Sequence, residues 1–253
     1  MQLEHVKAVV TGGVSGLGLA TVQHILANGG RAVMLDVNDE AGKAAARETG
    51  TRYIHTDVTS EEAVAGALDE ATDVMGGLNA AVNCAGIIGA GRVLGREAPM
   101  ALSFFAATIN VNLLGSFNVA KSAADRMQHN EPGADGERGI IINTASVAAY
   151  EGQIGQAAYS ASKAGLVGMT LPMARELARF GIRVVTIAPG IFWTPMVDGM
   201  PEHIQESLSA SIPFPSRLGQ PEEFAQLAGN VIESGYLNGT TIRLDGAVRL
   251  APK

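Results

Sequence analysis

The chain has 253 residues, 47% of them hydrophobic, and a formal net charge of −7. That length and apolar content suit one α/β domain with a large core, while the acidic balance and the 5% aromatic content argue against a nucleic-acid surface. A single cysteine, Cys84, excludes an intrachain disulfide and fits a reducing compartment.

The histidines (His5, His24, His55, His129 and His203) are scattered, with no pair at metal-ligand spacing, so no metal site is expected. The opening MQLEHVKAVVTGG runs from a polar stub straight into a strand, without the pattern of a signal segment. No apolar run of the ~18–20 residues needed to span a bilayer stands out. A cytoplasmic protein with no membrane partner is expected.

The first predicted strand, Lys7–Thr11, leads into Thr11-Gly12-Gly13-Val14-Ser15-Gly16-Leu17-Gly18 and then a helix ending at Asn28-Gly29-Gly30. Glycines at 12, 16 and 18 let the backbone turn tightly and approach a pyrophosphate, and the helix N-terminus supplies free N–H donors. The residues expected to hold a dinucleotide here are Gly12, Ser15, Gly16, Leu17 and Gly18. A bare glycine turn is the alternative, weakened by the position between first strand and first helix. The second strand, Arg31–Asp36, ends in a carboxylate suited to ribose hydroxyls and repulsive to a 2′-phosphate; neither Val37 nor Asn38 offsets it. NAD(H) is therefore expected over NADP.

The third strand, Tyr53–Asp57, brings Asp57 and Val58 to the adenine edge, although Asp57 also reads as a helix cap, a role better suited to Ser60. The fourth, Ala80–Cys84, ends in Asn83-Cys84-Ala85-Gly86, where small residues admit a cofactor against the backbone. Asn83, Ala85 and Gly86 are expected to contact it. Asn112, within the apolar helical pattern INVNLLGSF, reads either as a satisfied structural amide or as the holder of a relay water. Gln128–Arg138 is polar and interrupted by Gly and Pro, a surface loop.

After the fifth strand, Gly139–Thr144, comes Ser146, placed to orient a substrate oxygen or simply to cap a turn. Tyr159 and Lys163 lie four apart on one face of a predicted helix. An ammonium beside a phenol lowers its pKa, and abstraction of an alcohol proton near neutrality requires that. Leu166, Met169, Met173, Leu177 and Phe180 continue the helix as one buried face, with a bend expected at Pro172. The sixth strand, Ile182–Ala188, ends at Pro189-Gly190-Ile191, all three expected at the cofactor, and Thr194 is in reach of a carboxamide. Residues 191–214 form either a substrate lid or a packed connector. Thr241–Leu244 is the last strand. These runs are short and apolar on both faces, as in a buried parallel sheet. A single Rossmann-like domain over residues 1–253 is predicted, doubly wound with about seven strands.

Together TGGVSGLG, NCAG, NLLG, Ser146, YSASK, PGIFWT and the late RLGQPEEFA…LNGTTIRLDGA resemble, in order and spacing, the classical short-chain dehydrogenase/reductase family. The resemblance implies a catalytic set of Asn112, Ser146, Tyr159 and Lys163, with Tyr159 and Lys163 also touching the cofactor, and a homotetramer. NEPGADGERGIIINTASVAAYEGQIGQAAYSASK and IPFPSRLG resemble more closely its short-chain 3-hydroxyacyl-CoA dehydrogenase branch, which includes a multifunctional hydroxysteroid dehydrogenase. That branch implies an acyl-CoA thioester substrate oxidised with NAD, and places Gln153 and Gln156 near it beside Ser146 and Tyr159. Dehydrogenation of a steroid, polyol or other secondary alcohol is the alternative. Reduction of an acyl-carrier-protein thioester is disfavoured by Asp36, and a non-catalytic NAD-binding protein by the intact set.

Overall fold

The computed structural model describes residues 1–194, 197 and 202–252. Strands β1 (Lys7–Thr11), β2 (Arg31–Asp36), β3 (Tyr53–His55), β4 (Ala80–Asn83), β5 (Gly139–Thr144), β6 (Ile182–Pro189) and β7 (Thr241–Leu244) form one sheet. Their order is β3-β2-β1-β4-β5-β6-β7 and every pairing is parallel. Parallel neighbours need crossovers, and helices supply them: α1 (Gly16–Ala27), α2 (Asp39–Thr49), α3 (Glu61–Met75), α4 (Leu102–Ile109), α5 (Ser116–Met127), α6 (Ala157–Leu177), α7 (Glu202–Ala210) and α8 (Pro221–Glu233).

Burial on both faces explains the unbroken apolar strands: β5 and β6 are buried at every residue. One core layer centres on Val10, Val22, Ile25, Met34, Ile142 and Phe224; the other on Val9, Val33, Leu68, Val119, Met127 and Ile141. The order reverses between β1 and β4, so a crevice opens beyond their carboxyl ends.

Strand bounds differ from the sequence expectation by one or two residues. β3 stops at His55, although Thr56 still donates its N–H to the Asp36 carbonyl at 2.8 Å. β4 stops at Asn83, and β6 runs one residue further, to Pro189. The bend expected at Pro172 does not interrupt the helix: α6 runs from Ala157 to Leu177 through it, with Pro172 on the exposed side.

A larger correction concerns 102–127. Helices α4 and α5 are joined by a π-helical turn, Asn110–Gly115, into one run. That run, Leu102–Met127, is by length and composition alone long and apolar enough to cross a membrane. The sequence reading missed it because Asn110, Asn112, Ser116 and Asn118 interrupt the apolar residues. Three of the four serve the interior: Asn112, Ser116 and Asn118 are buried, whereas Asn110, Leu102, Phe104, Leu114 and Phe117 lie outside. Of the 191–214 segment, residues 195, 196 and 198–201 lie outside the described residues; α7 and a buried cluster of Val197, Ile212, Leu218 and Val248 lie within them.

At the opposite end of the sheet, Arg183 clamps β6 to α8. Its guanidinium donates to the carbonyls of Val231 (2.9 Å), Ile232 (2.7 Å) and Leu237 (2.9 Å) and to Glu137 Oε1 (2.8 Å), which makes Glu137 more than a loop residue. Arg183→Met leaves these carbonyls and a half-buried carboxylate unpaired, with an expected loss of about 3–5 kcal/mol in urea unfolding. Glu137→Gln keeps the carbonyl clamp and should lose clearly less; equal losses would show that the carbonyl bonds contribute nothing.

Candidate active site

Gly12 and Gly18 hold the two loops at the switch point together. Gly12 has φ +61°, and a Cβ on it would come within 2.9 Å of the Ala85 nitrogen. A Cβ on Gly18 would lie 2.2 Å from the Gly12 carbonyl oxygen. The Thr11 hydroxyl accepts the Ala85 N–H at 3.1 Å, tying the β1 loop to the β4 loop. Ser15 caps α1 in extended conformation and its side chain makes no capping bond. The first helical bond runs from Leu19 N–H to the Ser15 carbonyl (3.1 Å), so the N–H groups of Gly16, Leu17 and Gly18 open onto the crevice. A pyrophosphate fits this cradle: backbone donors, a positive helix end and no side chain in the way.

Beside it lies a cavity of about 260 Å3 bounded by Gly16, Leu19, Ala20, Gln23, Trp193, Thr194, Pro221 and Glu222. Thr194 thus faces the phosphate loop, while Ser146, Tyr159 and Lys163 belong to the neighbouring part of the strand edge and do not line this cavity. Gly190 donates to the Leu244 carbonyl (2.9 Å) and the Ile191 carbonyl accepts from Gly219 (2.9 Å), which anchors the chain leaving Pro189.

Asp36 ends β2 half-buried, its Oδ1 accepting the Asn38 N–H at 3.0 Å. No lysine or arginine pairs with it among the described residues. Asp57 accepts both the N–H (2.9 Å) and the hydroxyl (2.8 Å) of Thr59, and these bonds hold its carboxyl below the usual range. Ser60, not Asp57, caps α3. Val58 is packed against Gly115 and its carbonyl takes the Asn118 amide (3.0 Å), so of the pair only Asp57 is at the surface.

The structure settles which way the Asn83 side chain faces. It turns into the core, donating to Asn143 Oδ1 (2.9 Å) and to the Ser116 carbonyl (3.2 Å), so only the Asn83 backbone faces the expected cofactor contact. Alternation along β4 puts it between the sheet and α5. Ala85 and Gly86, one step beyond the strand, stand at the edge.

Ser146, extended after β5, caps a short 3-10 turn (Val147–Ala149) and accepts the Ala148 N–H at 3.1 Å. Tyr159 and Lys163 share the first turns of α6. The Lys163 ammonium, 5% exposed, donates to the Thr144 carbonyl at 2.7 Å and lies 5.8 Å from the Tyr159 ring centre. Burial pushes Lys163 down to about 8. Burial also raises the Tyr159 phenol above its ordinary value, countered by the Ser146 hydroxyl. The expected lowering of the phenol by Lys163 is therefore not a property of the protein alone. Desolvation outweighs a cation that lies over the ring rather than at the oxygen.

Asn112 sits in the π turn. Its Oδ1 accepts the Ile87 N–H (2.8 Å), and its Nδ2 donates to the Ile87 carbonyl (2.9 Å) and to Ser162 Oγ (3.0 Å). Both amide hydrogens are used, so one Oδ1 lone pair remains for a water. These bonds hold Gly86 beside the lysine: a Cβ on Gly86 would lie 3.5 Å from Lys163 Nζ. Gln153 donates its side-chain N–H to the Ala251 carbonyl (3.0 Å), and Gln156 Oε1 accepts the Gln153 N–H (2.9 Å), so the pair ties the loop before α6 to the C-terminal tail. Thr11, Thr144 and Ser162 support the site and escaped the sequence reading. Thr144 acts through its carbonyl, for which residue type gives no signal; Thr11 and Ser162 lie inside quoted motifs.

Lys163 carries a stability signature. Below about 8 the fold encloses an ammonium, whereas the unfolded lysine keeps its proton up to 10.5, so stability rises with pH between those values. Lys163→Met without cofactor should melt higher than the wild type at about pH 7, with the gap narrowing by about pH 9.5. A pH-independent difference would show that the ammonium is not buried at a cost. The sole tryptophan, Trp193, should change its emission when NADH is titrated in; unchanged emission would put the dinucleotide away from this cavity.

Residues 6–205 match the short chain dehydrogenase family. The chain is 51% identical over 249 residues to human 3-hydroxyacyl-CoA dehydrogenase type-2, covering 97% of this chain and 95% of that protein. The Drosophila melanogaster protein of the same name is 48% identical over 254 residues, 99% of this chain and all of that one. The crystal structure of 3-hydroxyacyl-CoA dehydrogenase type-2 from Mycobacterium avium superposes with a TM-score of 0.95 at 44% identity, covering 99% of this chain and 98% of that one.

Proposed function

We propose, for a chain that belongs to the short-chain dehydrogenase family and is thus an oxidoreductase using a nicotinamide cofactor on a small molecule, that it oxidises 3-hydroxyacyl-CoA thioesters to 3-oxoacyl-CoA with NAD. The reading rests on the Ser146, Tyr159 and Lys163 cluster beside the glycine cradle, and on the names of the relatives for the substrate. NAD is preferred because Asp36 sits where a 2′-phosphate would meet an unpaired carboxylate.

The nicotinamide, when bound, supplies the hydride acceptor. The chain's own residues hold the alcohol and move its proton. Ser146 donates its hydroxyl to the substrate oxygen and orients it. Tyr159 Oη takes the alcohol proton as the base. Lys163, with one donor on Thr144 and two to spare, stabilises the phenolate and hydrogen-bonds the ribose. Asn112 fixes Gly86 and Ile87 over the lysine and keeps one lone pair for the relay water. Gly12, Ser15, Gly16, Leu17 and Gly18 hold the pyrophosphate, Asp57 and the backbone of Val58 flank the adenine, and Ala85, Gly86, Pro189, Gly190, Ile191 and Thr194 line the nicotinamide half. Gln153 and Gln156 bound the substrate.

The proposal includes a homotetramer. Helix α6 turns Ala161, Ala164, Gly168 and Leu171 outward, alongside the outward Leu102, Leu114 and Phe117 of the neighbouring run. A second copy of the chain would cover that apolar slab without a membrane. A cytoplasmic setting is part of the reading, supported by the lone Cys84.

Oxidation of short 3-hydroxyacyl-CoAs, followed as NADH absorbance beside NADP and steroid-alcohol controls, should be strong with NAD and the thioester. Activity on another alcohol alone would overturn the substrate and keep the chemistry. Tyr159→Phe should lose about 10²–10⁴-fold in kcat and keep NADH binding, as read from Trp193. Asp36→Ala should narrow the NAD preference; an unchanged ratio would mean that Asp36 does not select the cofactor. Light scattering should give four times the chain mass.

A further inference from the structure

Arg243 lies near the end of β7, on the edge of the sheet that also carries Ser146. Its guanidinium is 24% exposed and forks onto Glu151, Nη1 to Oε1 at 2.8 Å and Nη2 to Oε2 at 2.9 Å. Its Nε donates to Asp245 Oδ2 at 2.7 Å, Nη2 reaches the Val248 carbonyl at 3.2 Å, and the group lies 5.1 Å from the centre of the Tyr150 ring. One side chain thereby joins two stretches remote in sequence. The first is the loop from Ser146 to Tyr159, which carries Glu151. The second is the C-terminal tail after β7.

The tail has no helix or strand of its own beyond β7. It turns through Gly246 (φ 55°) and Ala247 (φ 65°), and a left-handed alanine is disfavoured unless its surroundings hold it. Asp245 does so, accepting the Ala247 N–H at 3.0 Å through its side chain and the Val248 N–H at 2.9 Å through its carbonyl. Further along, the tail is seamed to the catalytic loop: Ile154 N–H donates to the Pro252 carbonyl at 3.0 Å, and Gln153 reaches Ala251. Ion pairs of this kind are replaceable by apolar packing where only stability is at stake; what a bidentate fork adds is a fixed geometry.

We propose that Arg243 is a positioning residue for the reaction: through its fork on Glu151 it docks the C-terminal tail against the loop between Ser146 and Tyr159 and sets the wall of the substrate crevice. This rests on the reading of Ser146 and Tyr159 as the reacting pair. Neither Glu151 nor Arg243 touches substrate. They act by holding Gln153, Ile154 and Gln156 in register with the start of α6.

The test uses the full chain with Glu151→Gln, which keeps size and loses charge, Arg243→Lys, which keeps charge and loses the fork, and the double variant. Each single change should raise KM about fivefold to tenfold, the double should be no worse than the weaker single, and kcat should stay within about twofold. The NADH dissociation constant, read from Trp193, should not move. The Ile154 amide should exchange faster with deuterium in each variant. An unchanged KM, additive effects, or an Ile154 amide as protected as in the wild type would overturn the proposal. So would a fall in melting temperature alone, which is what a purely structural ion pair predicts. KM is measured on whichever secondary alcohol the wild type oxidises, so failure on thioesters sinks the substrate reading without touching this one. If the wild type oxidises no alcohol with either cofactor, the reading of the site fails, and this proposal with it.

Discussion

An ammonium enclosed at the carboxyl end of a parallel sheet is the constraint from which the site follows. Lys163 has one protein acceptor, the Thr144 carbonyl, which leaves two of its hydrogens without a protein partner. Without a ligand that arrangement costs stability, which is why burial pulls the group down to about 8. In the proposed reaction, the groups that satisfy the charge arrive with the cofactor and substrate. The stability of the empty protein and its chemistry are therefore set against each other at one side chain.

The fold makes that burial possible. Lys163 is carried on α6, which packs across β5 and β6, so its long stem runs through apolar surroundings to the strand ends. The strand order reverses at β1 and β4, and the two loops there touch through Gly12 and Ala85. Backbone donors thus stand on one side of the crevice and the phenol–lysine pair on the other. The π turn at Asn110–Gly115 adds the connection between them: it puts the Asn112 amide on Ile87 and on Ser162 at once. A π turn is unusual within a helix, and here the amide it positions lies beside Gly86, close to the lysine.

The C-terminal end of the sheet is completed by charge as well as by apolar packing: Val248 is buried among Val197, Ile212 and Leu218. Glu151, Arg243, Asp245 and Arg249 form one network, with Arg249 Nη1 3.1 Å from Asp245 Oδ2. It joins the last strand to the loop that enters α6. The buried Val248 anchors the tail, and the bidentate pair fixes its register against the loop. The outward faces of 102–127 and α6 show the opposite choice, with Leu102, Phe104, Leu114, Phe117 and Leu171 exposed.

The sequence by itself determined what depends on short-range order: the strands, whose apolar runs only a doubly covered sheet explains, the glycine turn entering the first helix, the four-residue spacing of Tyr159 and Lys163, and the carboxylate closing β2. Their order and spacing also determined the family. Only the tertiary structure decided what depends on which way a side chain faces and what lies opposite. It turned Asn83 into the core, spent both amide hydrogens of Asn112 on protein, and raised the Tyr159 phenol that spacing alone would have lowered, because desolvation depends on everything packed around a group. It also made one long apolar helix of 102–127 across a π turn, and brought Arg243 to Glu151 across most of the later half of the chain. Periodicity describes a chain along its length, whereas burial and pairing are set by neighbours in space.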